Sequence, residues 1–289
     1  MKRNVIRRKA VDSKSGADSD TDSRDGGVQS VDRALSIIET LAEDDEGYRL
    51  TDLAVRTGLS TSTAHRLLAT LEKRRFVHFD RYESKWHVGA QSFSVGATFA
   101  RRRNFTAQAM PYLRKLRDQT RETANLAVVD DESIIVLTRI ESREIMRSVT
   151  KVGGRVAMVA SGVGKAVLAT YSDEDVNSII CRQGMPRLTE KSIVRPGELF
   201  KELAKVRRQG YAVDDEEARM GLRCIAAVVY NDCSEPLAAI SVSGMTSRIT
   251  DERLPVLGCI VRSVAAELTV VLGGVMPATL QFCTAAGEI

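Results

Sequence analysis

The sequence predicts an α+β protein, with an N-terminal winged helix-turn-helix, a connecting helix, and a C-terminal domain in which helices flank an antiparallel sheet. Three observations lead to this fold class. Apolar residues recur at helical spacing in three short segments that begin after Val28. Two runs rich in aromatic and β-branched residues then surround a polar turn, which predicts a β-hairpin. Farther along, strands joined by short turns alternate with helices, as in antiparallel α+β domains.

Composition divides the 289 residues into five parts. Residues 1–27 are rich in Ser, Asp, Arg and Lys and nearly free of apolar residues, so a disordered tail is predicted. We expect the winged helix-turn-helix over 28–89, the connecting helix over 90–105, the sheet domain over 106–273 and a C-terminal tail over 274–289.

Several classes of protein are disfavoured by the composition. No uncharged apolar segment reaches the roughly 18–20 residues of a membrane span, because Arg262 and Glu267 interrupt the best candidate. Five cysteines without a CxxC pair favour a reducing compartment, so we expect a cytoplasmic protein. None of the three histidines has metal-ligand spacing with a cysteine, and we expect neither a metal nor a cofactor.

The predicted N-terminal helices are assigned from their apolar spacing and their ends. Ser30 is the expected N-cap of the first helix and Thr51 that of the second. Gly58 stands where a helix ends in a left-handed conformation, and Leu59 should fill the core beneath that turn. A third helix is predicted from about residue 60 to residue 75, and the hairpin strands over 76–79 and 85–88.

The third helix opens with four consecutive hydroxyl side chains, in GLSTSTAHRLLATLEKRRF, residues 58–76. At about 100° per residue, leucines and Ala64 share one face, and Ser62, Arg66, Ala69 and Lys73 share the opposite one. Small hydroxyls permit close approach to DNA, and a guanidinium binds a guanine edge with two hydrogen bonds. The predicted DNA contacts are Ser60, Thr61, Ser62, Thr63, His65, Arg66, Lys73, Arg81 and Lys85.

A solvent-facing helix with surplus capping hydroxyls would explain the same face. The order of helices and hairpin favours DNA binding instead, as does the local charge. Residues 60–85 hold six Lys/Arg against three Asp/Glu, and residues 1–104 carry the whole net charge of +4.

The predicted elements of the C-terminal half alternate. Strands are expected over 125–129, 134–139, 225–230 and 237–243, and helices over 111–121, 164–171, 173–181, 199–208 and 251–272.

A glycine-containing turn, ASGVGKAVLA at residues 160–169, opens one of these helices. It is not a phosphate-binding P-loop, because Val159 and Ala166 replace required residues. Free backbone N–H groups at Gly162 and Val163 would suit a carboxylate. A turn needed only for packing explains the motif equally well.

The hairpin within residues 214–244 predicts a ligand-binding surface. If it is symmetric about NDCSEP, Cys224 lies opposite Ser243 and Ala226 opposite Ser241. One face is then apolar, and the other is a patch of small residues with one thiol and two hydroxyls. Such a floor can orient a small polar ligand. A buried structural cysteine remains an alternative.

An enzyme would use Cys224 as a nucleophile. A cysteine nucleophile usually needs a histidine base, and residues 105–289 contain no histidine. Ligand binding is therefore favoured over catalysis. Two further hypotheses stay open: a cysteine-dependent enzyme acting on a small carboxylate, and a non-specific DNA-coating protein.

Five segments resemble the IclR family of bacterial transcriptional regulators: VQSVDRALSIIETLAE, GLSTSTAHRLLATL, ASGVGKAVLA, GYAVDDEEARMGLRC and EPLAAISVSGMTSRIT. The resemblance spans roughly residues 28–273 and is greatest to the glyoxylate-responsive members, which include the regulator of isocitrate lyase. It implies an N-terminal winged helix-turn-helix, a linker helix and a GAF-like C-terminal effector domain, with dimers or tetramers on partly palindromic double-stranded operators. We therefore expect a regulator and not an enzyme. The implied effector is a small 2-oxo acid, glyoxylate or pyruvate.

The resemblance also implies the residues of an effector pocket. Backbone donors would come from Gly162 and Val163, with polar contacts from Asp214, Cys224, Ser241 and Ser243 and apolar walls from Leu222, Val156 and Ile145. The sequence differs from that relative at Ser148, where a methionine is expected, and at Val163, where alanine is expected.

Overall fold

A computed structural model describes residues 28–102, 105–130, 133–144 and 151–278. The predicted N-terminal tail and residues 279–289 of the predicted C-terminal tail lie outside the described residues, as do Ile145 and Ser148. The chain divides into two compact units, the first ending at Gly96 and the second beginning at Ala97.

The first unit is a winged helix-turn-helix, as predicted. Three helices, α1 (Gln29–Leu41), α2 (Leu50–Arg56) and α3 (Thr61–Lys73), precede a hairpin of β1 (Val77–Asp80) and β2 (Lys85–Val88). The hairpin is antiparallel, and Trp86 also forms an isolated bridge with Tyr48. The core of the unit consists of Ile37, Leu41, Leu53, Leu68, Val77 and Trp86.

The turn before α3 forms as predicted. Gly58 has a φ of +65°, the left-handed conformation that favours glycine. Leu59 packs against the core beneath it. Ser60 caps the helix, since its Oγ accepts a hydrogen bond from the Thr63 N–H at 3.2 Å.

The predicted caps of the other two helices are wrong. Ser30 lies inside α1, which begins one residue earlier because the N–H groups of Val31 and Asp32 bond to the Val28 carbonyl. Thr51 lies inside α2, and its hydroxyl donates to the Asp52 carboxylate instead.

The connecting helix ends earlier than predicted. Helix α4 spans Ala90–Arg102, and Phe105, the predicted last residue, begins α5 (Phe105–Thr120). The Phe105 side chain is buried in the core of the second unit, which explains why it belongs to α5.

The second unit contains a six-stranded sheet in which all neighbours are antiparallel. Its order is β5-β4-β3-β8-β7-β6. The strands are β3 (Thr123–Asp130), β4 (Ser133–Ile140), β5 (Arg155–Val156), β6 (Ala212–Asp215), β7 (Leu222–Tyr230) and β8 (Pro236–Met245). Four of them were predicted, whereas the short strands β5 and β6 were not.

Helices pack on both faces of this sheet. Helices α5 and α9 (Leu254–Val271) cover one face, where Ile225, Ala227, Ile240 and Val242 are buried, as the strand periodicity predicts. The opposite face carries α6 (Gly162–Leu168), α7 (Asp173–Gln183) and α8 (Pro196–Gln209).

Helix α9 is long and apolar enough, by length and composition alone, to cross a membrane. In the structure it packs as a core helix, with Val261, Val264 and Leu268 buried against the sheet. Its charged side chains have partners within the unit: Arg262 donates to the Gln209 carbonyl, and Glu267 pairs with a lysine of α5.

The predicted C-terminal tail begins with an ordered segment. The N–H of Gly274 bonds to the Thr269 carbonyl, and that of Val275 to the Asn231 carbonyl. Met276 packs against the buried residues on the sheet face that carries α6, α7 and α8. The domain therefore extends beyond residue 273, because these backbone groups bond to it.

Candidate functional site

Helix α3 divides into a buried and an exposed face as predicted. Ala64 and Leu68 are fully buried. The exposed residues of the opposite side are Thr61, Ser62, His65, Arg66, Ala69, Thr70 and Lys73. The short side chains lie near the helix N-terminus, and the two cations follow in later turns.

The hydroxyl groups that open α3 are not equivalent. Ser60 Oγ lies 2.8 Å from Thr63 Oγ1 and 3.1 Å from Ser62 Oγ, so these hydroxyls form a small cluster. Thr63 is half-buried, whereas Thr61 and Ser62 are exposed. Ser60 and Thr63 thus serve the helix N-terminus, whereas Thr61 and Ser62 are exposed to a partner, and the Ser62 hydroxyl also contacts Ser60.

The hairpin places its two predicted DNA contacts differently. Arg81 is exposed on the turn. Lys85 donates from Nζ to the Glu46 carbonyl at 3.0 Å and lies 3.8 Å from the Glu83 carboxylate. Tyr82, a residue that the sequence reasoning missed, is fully exposed at the tip. Hydrogen bonds from the backbone N–H groups of Glu83 and, to a smaller extent, Tyr82 hold the pKa of Asp80 below its usual value.

The second unit contains a cavity of about 390 Å³ above the sheet face that carries α6. Seven of the predicted pocket residues line it: Val156, Val163, Asp214, Leu222, Cys224, Ser241 and Ser243. Gly162 does not line the cavity but is buried beside Cys224. A Cβ on Gly162 would lie 3.0 Å from the Cys224 carbonyl oxygen, so this position tolerates little more than glycine.

The floor of the cavity follows from strand register. Cys224 lies opposite Ser243, and Ala226 opposite Ser241, as the symmetric hairpin predicts. On the other side of β8, Asn125 of β3 lies opposite Ser241.

Asn125 is a floor residue that the sequence reasoning missed. Its Nδ2 donates to the hydroxyls of Ser241 and Ser243, at 3.3 Å each. The side chain is buried and lines the cavity. The available signal was an amide within TANLAVVD, an otherwise mainly apolar strand.

Asp214 is a buried carboxylate at the edge of the floor. Burial raises its pKa to about 6, and the nearby Glu217 carboxylate acts in the same direction. Hydrogen bonds from the Glu217 and Ala218 N–H groups, at 2.8 and 3.3 Å from Oδ1, oppose the rise.

Cys224 carries a neutral thiol. Burial raises its pKa to about 11, and the Asp214 charge adds to that effect, while the hydroxyls of Ser243 and Ser241 oppose it. A nucleophilic cysteine needs the opposite environment, an exposed site with nearby positive charge. This site does not activate the thiol.

Basic residues that the sequence reasoning missed also line the cavity: Lys151, Arg155, Arg219 and Arg223. Arg223 is committed to Asp215 and Asp251, at 2.5 and 2.6 Å, and Arg155 lies 3.3 Å from Asp130. Arg219 is exposed. The positive charge of these four residues favours small anions at the cavity, although the paired carboxylates and Asp214 offset part of it. Across the residues that the structure describes, no group of three or more His, Cys, Asp or Glu side chains could hold a metal ion.

A winged helix with a polar, basic face, in one chain with a sheet domain that contains a polar-floored cavity, is the architecture of a DNA-binding transcriptional regulator. Family models support that class, since residues 30–81 match the IclR helix-turn-helix domain. Residues 97–270 match the bacterial transcriptional regulator IclR C-terminal domain. The chain belongs to the IclR family of transcriptional regulators, as the sequence motifs predicted.

Similarity to individual family members extends along most of the chain. It is 43% identical over 251 residues to the acetate operon repressor of Salmonella typhimurium, covering 86% of this chain and 92% of that protein. Identity to the transcriptional repressor IclR of Escherichia coli is 41% over 251 residues, with the same coverage of 86% and 92%. An IclR transcriptional regulator from Alicyclobacillus acidocaldarius has a similar solved structure, with a TM-score of 0.73 at 26% identity, covering 86% of this chain and 100% of that one.

Proposed function

We propose that this protein is a cytoplasmic transcriptional repressor that binds an operator through α3. Binding of a small 2-oxo acid changes its affinity for that operator. Glyoxylate is the first candidate effector and pyruvate the second. The observation that carries the effector proposal is the register that brings Cys224, Ser241 and Ser243 onto one cavity floor. A ligand can alter operator binding only if it binds one arrangement of the protein better than another.

The exposed face of α3 supports the DNA contact. Thr61 and Ser62 are short enough for close approach to the major groove, and Ala69 leaves room beside Arg66. Arg66 makes no ion pair with any described residue, so its guanidinium is available to a guanine edge. Lys73 and Arg81 suit phosphate contacts.

Arg66→Ala tests this contact. We expect specific operator affinity to fall by about 1–3 kcal/mol, with much less change on random DNA, in quantitative gel shifts at fixed salt. Arg114→Ala, which removes an exposed arginine of the second unit, is the matched control. Unchanged operator affinity in the Arg66 variant would show that this face does not read the operator. Equal losses on both DNAs would support the non-specific DNA-coating alternative.

Exposed apolar residues support self-association of the first unit. Val28, Val31 and Leu35 are 65%, 54% and 53% exposed and recur on one side of α1. We propose a homodimer, or a tetramer built from dimers, on a partly palindromic operator, because two-fold symmetry presents two recognition helices to successive half-sites.

Charged substitutions test the association. Val31→Glu with Leu35→Glu should shift the sedimentation profile toward monomer and reduce operator affinity. Val256→Glu is the control, since Val256 is similarly exposed on the second unit. An unchanged oligomeric state in the double variant would remove α1 from the interface.

The groups around the cavity suit the two ends of a 2-oxo acid. Ser161 accepts hydrogen bonds from two N–H groups of α6, that of Gly164 at its Oγ and that of Lys165 at its carbonyl oxygen. Within the described parts of the chain, the N–H groups of Gly162 and Val163 have no acceptor. Val163 lines the cavity, so its N–H is the one placed to donate to a ligand carboxylate at the start of α6. The serine hydroxyls of the floor can donate to the oxo oxygen.

Calorimetric titration with glyoxylate, pyruvate and 4-hydroxybenzoate tests the effector class. The cavity volume also admits a larger acid, which is why an aromatic acid is included. We expect micromolar-range binding of a 2-oxo acid and an altered operator affinity in its presence. Ser241→Ala should lower the affinity for the 2-oxo acid by about tenfold and leave operator binding intact. Binding of only the aromatic acid would replace the 2-oxo acid proposal.

The cysteine-dependent enzyme is the competing proposal. It predicts turnover of a small carboxylate, whereas a regulator predicts stoichiometric binding without product. The raised pKa of Cys224 supports the regulator. Incubation of purified protein with the bound acid, followed by product analysis, distinguishes the two.

A further inference from the structure

Asn125 joins the two serines of the cavity floor. Its two amide protons face two acceptors, Ser241 Oγ and Ser243 Oγ, each 3.3 Å from Nδ2. The three residues come from two adjacent strands, and Asn125 is only 3% exposed. The bridge is therefore built into the sheet and shielded from bulk water.

This bridge determines where the serine protons point. Each hydroxyl has one proton, and its oxygen already accepts an amide proton from Asn125. The hydroxyl proton must then point elsewhere, toward Cys224 or the cavity. The lowering effect of both hydroxyls on the pKa of Cys224 agrees with that direction, since donors to sulfur stabilise the thiolate.

The oxygen of the Asn125 amide destabilises the folded protein. Asn125 Oδ1 is buried and has no hydrogen-bond partner among the described residues. A buried acceptor without a partner costs free energy, which an apolar side chain of similar size would avoid. The effect of Nδ2 on the serines gives a reason for an amide at this position.

We infer that Asn125 is a positioning residue for effector specificity: it fixes Ser241 and Ser243 as hydrogen-bond donors, so that the cavity prefers a 2-oxo acid over the 2-hydroxy acid of the same carbon skeleton. The inference rests on the proposed function. An oxo oxygen carries only lone pairs and accepts both serine protons. A hydroxyl in its place brings a proton that must share a serine oxygen with the Asn125 amide.

Asn125→Asp tests the direction of the protons. Its carboxylate accepts the serine protons and turns their oxygens toward the ligand. Full-length protein is titrated calorimetrically with pyruvate and both lactates, and with glyoxylate and glycolate. Each oxo acid is paired with the hydroxy acid of the same carbon skeleton, and the ratio is the affinity for the oxo acid divided by the affinity for the hydroxy acid. It is reported for the pair whose oxo acid binds more tightly. We expect a ratio of about ten or more in the unmodified protein, reduced by about tenfold in the variant.

The ratio cancels the uniform effect of the added negative charge. An unchanged ratio in Asn125→Asp, with oxo-acid binding retained in the unmodified protein, overturns this inference and leaves the proposed function standing. Failure of the unmodified protein to bind either oxo acid overturns both.

A second variant shows whether Asn125 acts through the serines and remains informative if Asn125→Asp does not fold. Asn125→Leu should lower oxo-acid affinity by about tenfold, but less than twofold when Ser241→Ala and Ser243→Ala are already present. Equal losses in both backgrounds would mean a direct or purely structural role and would overturn the inference. Thermal unfolding and operator affinity of each variant serve as controls for folding.

Discussion

Lys165 of α6 and Glu217 of the β6–β7 connection form an ion pair that is almost completely removed from solvent. The Lys165 ammonium contacts Glu217 Oε1, and the two side chains are 1% and 8% exposed. Burial raises the pKa of Glu217, while the charge of Lys165 opposes that rise. The pair holds the start of α6 against the segment that carries Asp214, and so connects two sides of the cavity.

Breaking this pair should destabilise the second unit strongly. Lys165→Met leaves the Glu217 carboxylate buried without its counter-charge, and we expect a loss of about 3–5 kcal/mol in the free energy of unfolding. Urea denaturation followed by far-UV circular dichroism measures it. The double variant Lys165→Met with Glu217→Leu should recover most of the loss, because no buried charge remains. Equal stability of the single and double variants would contradict this account.

Asp214 should make stability depend on pH. Its pKa is raised from 3.8 to about 6 by burial and by Glu217, so the folded state binds more protons between these pH values than the unfolded state. Stability therefore falls as pH rises through this window. Asp214→Asn keeps the Oδ1 acceptor. Its free energy of unfolding should match that of the unmodified protein near pH 4 and exceed it by up to about 3 kcal/mol near pH 7. A difference that stays constant from pH 4 to pH 8 would show that Asp214 titrates normally.

Two glycines of α6 should respond differently to alanine. A Cβ on Gly164 would lie 2.1 Å from the Met158 carbonyl oxygen, a backbone atom, whereas a Cβ on Gly162 would lie 3.0 Å from the Cys224 carbonyl. Both changes gain helix propensity, by about 1 kcal/mol. We expect Gly164→Ala to unfold the second unit. Gly162→Ala should fold but weaken effector binding, because its Cβ presses on Cys224 of the cavity floor. Thermal unfolding and calorimetry give both readouts, and comparable stability of the two variants would contradict the contact geometry.

Cys224 should react slowly with alkylating reagents. Its raised pKa leaves little thiolate at pH 7.5, whereas Cys181 and Cys259 are exposed. Iodoacetamide labelling followed by peptide mass spectrometry should show modification of Cys224 at least about tenfold slower than of these two. Preferential labelling of Cys224 would revive the enzyme hypothesis.

The parts of the fold that were predicted correctly depend on local patterns. The pairing of Cys224 with Ser243 follows from a short turn and a strand period of two, both visible in one segment. The two-sided character of α3 follows from its helical period. Strand β5, over Arg155–Val156, is too short for any period to appear.

What the sequence could not predict depends on contacts between distant segments. Asn125 reaches the serines only because β3 pairs with β8, more than a hundred residues farther along the chain. In the sequence, Lys165 is only one residue of a glycine-containing motif, and its ion pair with Glu217 depends on a residue 52 positions away. Lys85 was assigned to DNA from its charge alone, but its ammonium has partners beside it within the first unit.

The alternation along β7 and β8 has a practical consequence. Cys224, Ser241 and Ser243 face the cavity, while Ile225 and Val242, their neighbours in sequence, belong to the core beneath α5 and α9. Cavity positions can therefore be randomised in a library without removing a single side chain from that core. On the proposed function, the domain is suited to redesign as a biosensor, in which new effectors are selected while the reporter output stays the same.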